Sequence, residues 1–136
     1  MTYHPWRTLR ALDHVTLHWV DDLPAGVRAM TDGHSTIWMR HTLSQVERRC
    51  VLTHELRHLH HGHRGHQHAK AETAVRQETA RLLIPDVHQL GDVMAWANDD
   101  LEAADELWVS PDVLYTRMKH LHPTERAVVL GRARRH

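Results

Sequence analysis

The chain has one cysteine, no long apolar run and no surplus of either charge, and each shortage removes a class of protein. Cys50 stands alone among 136 residues, which excludes an intrachain disulfide and a zinc knuckle built on thiolates. No apolar stretch approaches the roughly 18 residues that a membrane-spanning helix requires. Tyr3, His4, Pro5, Trp6, Arg7 and Arg10 break up the start of the chain, so no secretory leader is expected and the expected location is cytoplasmic. Lys and Arg together (17) balance Asp and Glu (17), which argues against a chain that grips nucleic acid through a net positive field. There is no internal repeat and no linker, so residues 1–136 are expected to form one domain, as a monomer.

What the sequence has in excess is histidine, 16 residues of it, with His54, His58, His60, His61, His63, His66 and His68 in one tract. Neutral imidazole is the commonest metal ligand, but a histidine-rich run can equally be a solvated surface, so spacing must decide. The other biases are milder. Asp86, Asp92, Asp99, Asp100, Glu102, Asp105 and Glu106 fall in a stretch without Lys or Arg, and Arg126, Arg132, Arg134 and Arg135 make the end basic. Both read as solvated helix faces.

Periodicity predicts an α+β chain. Pro5, Trp6, Leu9 and Leu12 suit a short helix over about 4–13. Val15, Leu17 and Trp19 alternate with Thr16 and His18, as in a strand buried on one face. Residues 27–31 and 35–41 flank Asp32-Gly33, a strong hairpin signal, and the expected sheet is small and antiparallel, closing the N-terminal part at about residue 41. Ser44 to Glu47 fits a capping box, opening a helix from Gln45 to about His61 that stops near Gly62. A loop over 62–68 leads to a helix over 69–83, with Glu72, Val75, Thr79, Leu82 and Leu83 inward and Pro85 ending it. Four more helices are expected over 86–97, 99–108, 111–120 and 123–134, the third capped by Ser110, so that the metal-site helices (about 44–84) are followed by a helical C-terminal half (about 86–134).

The chemistry lies in the first long helix. His54-Glu55-Leu56-Arg57-His58 matches H-E-x-x-H, which on a helix sets two imidazoles one turn apart on one face with a carboxylate beside them. Composition alone produces about 0.1 such matches in a chain this rich in histidine, so the helical context carries part of the weight. A catalytic zinc takes three protein ligands and leaves a fourth position open. The pattern that continues to a third histidine fails, since His61 and Arg64 stand where glycine and histidine are needed. A carboxylate from the next helix remains. Glu72 lies on its inward stripe, whereas Glu78, six residues further on, falls off that stripe. The remaining histidines of the tract are expected at the loop or rim, where one, His63 among them, can touch substrate.

These residues resemble a known family. The run from Glu47 to Leu59, then Glu72, then Ala80-Arg81-Leu82-Leu83-Ile84-Pro85, is similar to the ImmA/IrrE metallo-endopeptidases in their short actinobacterial and phage form. The likeness extends to Thr36-Ile37-Trp38-Met39 before the metal helix and to the segment from Leu107 to Leu121 after it. It implies a zincin-like fold with a small sheet packed on the two metal-site helices, Zn2+ held by His54, His58 and Glu72, and Glu55 acting on water. It also implies peptide-bond cleavage in a helix-turn-helix repressor, with the strand over 35–41, notably Ile37, Trp38 and Met39, holding the substrate chain as an added strand. One position departs: the family usually has Asp or Asn four residues after the glutamate ligand, orienting a ligating histidine, and Arg76 stands here. The rival expectation is a regulator that binds DNA or a repressor without catalysis, using helices 111–120 and 123–134 with Arg117, Lys119 and Arg126 on phosphates.

Overall fold

The computed structural model describes residues 3–64 and 67–134. The order is α1 (Pro5–Ala11), β1 (Thr16–Val20), β2 (Ala29–Thr31), β3 (Thr36–Arg40), α2 (Gln45–His61), α3 (Ala69–Leu83), α4 (Val87–Trp96), α5 (Asp100–Glu106), α6 (Pro111–Lys119) and α7 (Pro123–Ala133). The chain is therefore α+β, and α2 and α3 have their expected bounds. Asp86 and Asp99, expected inside helices, are instead N-caps whose carboxylates accept amides of the first turn. Ser110 occupies a cap position but makes no side-chain cap bond; its N–H donates to the Cys50 sulfur at 3.4 Å.

The sheet is mixed, not antiparallel. Its order is β1-β3-β2. The Asp32-Gly33 hairpin pairs β2 antiparallel to β3, but β1 runs parallel to β3, from Thr16↔Thr36 to Val20↔Arg40. Alternation reveals which side chains share a face and says nothing about which strand takes the middle place. The β1–β2 connection carries the chain to the far edge, and Arg40 ties it down, donating to the carbonyls of Asp21, Leu23, Pro24 and Val27 at 2.7–3.0 Å. In the hairpin, the Asp32 carboxylate accepts the N–H groups of His34, Thr36 and Ser35, which hold it well below the usual carboxylate range.

The start and stop of α2 follow from its sequence. Ser44 Oγ accepts the Glu47 N–H at 3.2 Å, the Ser44 N–H donates to Glu47 at 3.0 Å, and Gly62 closes the helix with φ +68°. Arg49, Cys50, Val51, Leu52 and Thr53 are all buried, so α2 is enclosed rather than one-sided. Ile37, Met39, Val51, Leu52 and Leu56 form one apolar cluster with the sheet and α1; Cys50 joins Ala80, Leu83, Leu90, Leu114 and Val129 in a second, helical one.

α6 packs on α3 and α5, and α7 packs on α4. Close approach of α7 needs Gly91, where a Cβ would meet the Arg132 Cβ at 2.6 Å. Arg117 is 2% exposed, donates to the Ile84 carbonyl at 2.8 Å and pairs with Glu125 at 3.0 Å. It cannot reach a phosphate backbone, so one of the cations on which the DNA-binding alternative rests is a structural tie. Val129 is the buried valine of α7, and Val128 beside it is half-buried. Among the described residues no helix is long and apolar enough to cross a membrane.

Candidate metal centre and its cleft

α2 and α3 pack together and bring three donors to one point. His54 and His58 lie one turn apart on α2, and Glu72 reaches them from the first turn of α3. His58 Nε2 is 3.1 Å from His54 Nε2 and 3.0 Å from the nearer Glu72 oxygen, and His54 Nε2 is 3.5 Å from Glu72. Ligands on a tetrahedral zinc at about 2.0–2.1 Å stand about 3.3–3.4 Å from one another, so the three atoms are spaced as one face of such a site. No set of protons on these groups satisfies all the contacts, because one N–H on His58 Nε2 cannot serve the other imidazole and both carboxylate oxygens together. A cation does satisfy them. The group is close enough to bind a metal ion.

The electrostatics suit that use. Burial lowers the pKa of His54, and the neighbouring His58 lowers it further; burial is also the main cause for His58. Both are thereby kept neutral, the form that ligates. Burial pushes Glu72 upward, but His54 and His58 outweigh it and hold the carboxylate ionised. Glu55 is 7% exposed, and its pKa is pushed up to about 8 by burial and then by the charge of Glu72.

A cleft of about 630 Å³ opens beside the triad. α2 contributes Val51, His54 and Glu55; α3 contributes Glu72, Thr73, Arg76 and Thr79; α6 contributes Thr116 and Lys119, and its C-cap His120. The fourth wall is the end of the β1–β2 connection and the start of β2, Gly26 to Ala29. Arg28 is paired with Asp112 at 3.3 Å, whereas Arg76 makes no ion pair among the described residues and Lys119 lies only over the Tyr115 ring.

Several expected positions change. Ile37 and Met39 are fully buried under the sheet, and β3 is paired on both edges, so Ile37, Trp38 and Met39 cannot receive a substrate strand. The edge facing the cleft belongs to β2, which the sequence did not single out because only strand order reveals edges. His63 does not line the cleft; its Nδ1 lies 3.0 Å from His58 Nδ1, behind the triad. His61 pairs with Glu78 at 2.8 Å, and Glu78 also accepts from Arg57 at 3.1 Å, so this second glutamate is engaged away from the triad. His60 and His68 are exposed, as a rim position requires, and His66 lies outside the described residues. The cleft wall on α6 carried no signal in the sequence, since its members lie more than forty residues from the H-E-x-x-H run and only the packing of α6 on α3 brings them in. The chain matches no protein-family model, and no curated protein or solved structure is similar enough to count as a relative.

Proposed function

We propose that the protein is a zinc-dependent endopeptidase of the ImmA/IrrE type with a zincin-like site, working in the cytoplasm as a monomer on a helix-turn-helix repressor. The observation that carries this reading is the meeting of the His54, His58 and Glu72 donors with the buried Glu55 at the wall of one open cleft. Two imidazoles and one carboxylate suit zinc and leave a position open for chemistry. When bound, zinc supplies Lewis acidity toward the attacking water and the scissile carbonyl.

The chain's own residues do the rest. Glu55, buried beside the three donors, would in its ionised form take a proton from the attacking water and hand it to the leaving nitrogen. The free edge of β2 beside the cleft offers backbone groups to an extended peptide, replacing the role expected of β3. Arg40 keeps the connection before that edge in place through its four carbonyl contacts. The repressor as substrate follows from the family resemblance.

Co-expression with the repressor encoded nearest to this gene tests the reading. Intact-mass analysis should find a single cut with the wild type and none with Glu55→Gln, while metal analysis finds about one zinc in both, because Glu55 acts on water and not on the ion. General acid–base groups contribute about 10²–10⁴ in rate, so Glu55→Gln should lose at least about a hundredfold. Cleavage by the Gln variant at the wild-type rate removes the proposed mechanism.

A further inference from the structure

The His58 imidazole is 5% exposed and has contacts at both nitrogens. Nε2 faces His54 and Glu72, and Nδ1 lies 3.0 Å from His63 Nδ1. A histidine that ligates through Nε2 carries its proton on Nδ1 and needs an acceptor there, which fixes both tautomer and ring orientation. We propose that His63 is that acceptor, a positioning residue that holds His58 for the metal, in place of the carboxylate or amide whose usual position is taken by Arg76. The inference rests on the metal-centre reading above and needs nothing from the cleft, which His63 does not line. It also fixes the tautomer of His63, with Nδ1 bare and the proton on Nε2.

A residue beyond the helix end serves this purpose only if it is held, and several elements hold His63. Gly62, in the left-handed conformation, turns the chain back so that the His63 N–H donates to the His58 carbonyl at 3.0 Å; one residue thus receives both the backbone and the side chain of His63. The His61 ring stacks on His63 at 5.3 Å between centroids and is itself pinned by Glu78 on α3. From the opposite side comes the β2–β3 hairpin. Gly33 is buried with φ +74°, and a Cβ there would run into the His63 carbonyl. The glycine that makes the turn therefore also makes room for the loop that backs the metal ligand, linking sheet and site through one contact.

The test is zinc affinity, measured by competition with a chromophoric chelator, for wild type, His63→Ala, His63→Asn and His60→Ala, together with the visible spectrum of each protein saturated with Co(II). Loss of such an outer partner costs about 10–100-fold in metal affinity, and that is the loss expected for His63→Ala. His63→Asn, whose side-chain carbonyl can accept the same N–H, should recover most of it, and His60→Ala should stay within about twofold of wild type. The Co(II) bands at saturation should keep their position and intensity in all four, since no ligand changes. Affinity of His63→Ala within about twofold of wild type overturns the inference, and so does a changed Co(II) spectrum, which would make His63 a ligand itself. A wild type that takes up no zinc fails earlier, at the metal centre. Gly33→Ala adds an independent arm: it should weaken zinc in the wild type and add little in His63→Ala, because both act through one contact. Simple additivity of the two losses overturns the link from hairpin to site.

Discussion

Glu55 shows at the scale of one residue how a site departs from what stability alone would select. A carboxyl on an enclosed helix holds a proton that the unfolded chain releases, its pKa rising from 4.5 to about 8 on folding. The sign follows from linkage. The favourable contribution is full below about pH 4.5 and is lost as pH rises through about 8. In the metal-free protein Glu55→Gln should therefore melt at nearly the wild-type temperature near pH 4.5 and several degrees higher near pH 8.5. A Gln variant with the same advantage at both values contradicts the burial of an ionisable group at this position. Arg76 sets the second residue-scale test, since its positive charge lowers the pKa of His54 and repels a cation by the same route. Arg76→Asp should tighten zinc by about tenfold or more, since the change turns repulsion of a divalent ion into attraction. Unchanged zinc affinity together with weaker peptide cleavage would assign Arg76 to the substrate instead.

At the scale of elements, charge ties the cleft wall to its neighbours. Glu125 of α7 accepts from Arg81 of α3 at 2.7 Å and from the buried Arg117 of α6 at 3.0 Å. These two guanidiniums, Arg81 first, hold its carboxyl far below the ordinary range. Its stabilisation is thus present above about pH 4.5 and fades as pH falls toward the lower folded value. Glu125→Ala strands Arg117 and should cost on the order of 3 kcal/mol near pH 7 in urea unfolding, with the gap to wild type narrowing below about pH 4. A gap that does not move with pH would mean the loss is one of packing alone. The bounds of α2 were legible because Ser44, Glu47 and Gly62 act locally on their own helix ends. The parallel pairing of β1 was not, because it depends on where residues 21–28 travel and on Arg40 gathering that connection.

For the whole molecule, a metal bound at the proposed site would be a fastener between two helices that are already packed. The sheet-side and helical apolar clusters flank α2 without involving the triad. Chelation should then lower the melting temperature without unfolding the protein at room temperature, and zinc at about a hundred times its Kd should add about 2.7 kcal/mol. A chelated protein that loses its helical circular dichroism would place the metal in the fold itself. Acid should release zinc as well. His54 and His58 are depressed chiefly by burial, so protons compete only below the ordinary histidine value of about 6.5, and zinc content should be flat above it and fall beneath it. Glu72→Ala should lose most zinc at any pH, whereas full retention down to about pH 4 would rule out histidine ligation.

The sequence by itself determined what depends on neighbours along the chain: the α+β class, the ends of α2 and α3, the Asp32-Gly33 turn, and the fact that His54, Glu55 and His58 share one helix. It also singled out Glu72 over Glu78, since both lie on one helix whose inward stripe can be read from its apolar residues. Only the tertiary structure decided what depends on distant segments meeting. It put β3 in the middle of the sheet and β2 at the edge by the cleft, buried Ile37 and Met39, and turned Arg117 inward onto Glu125. It also set His63 behind His58, where Gly33 of the hairpin leaves it room. The physical reason is range. Capping, turn formation and helical periodicity act over a few residues and are written in order, whereas strand order, the partner of a buried charge and the support behind a ligand are settled by which surfaces pack.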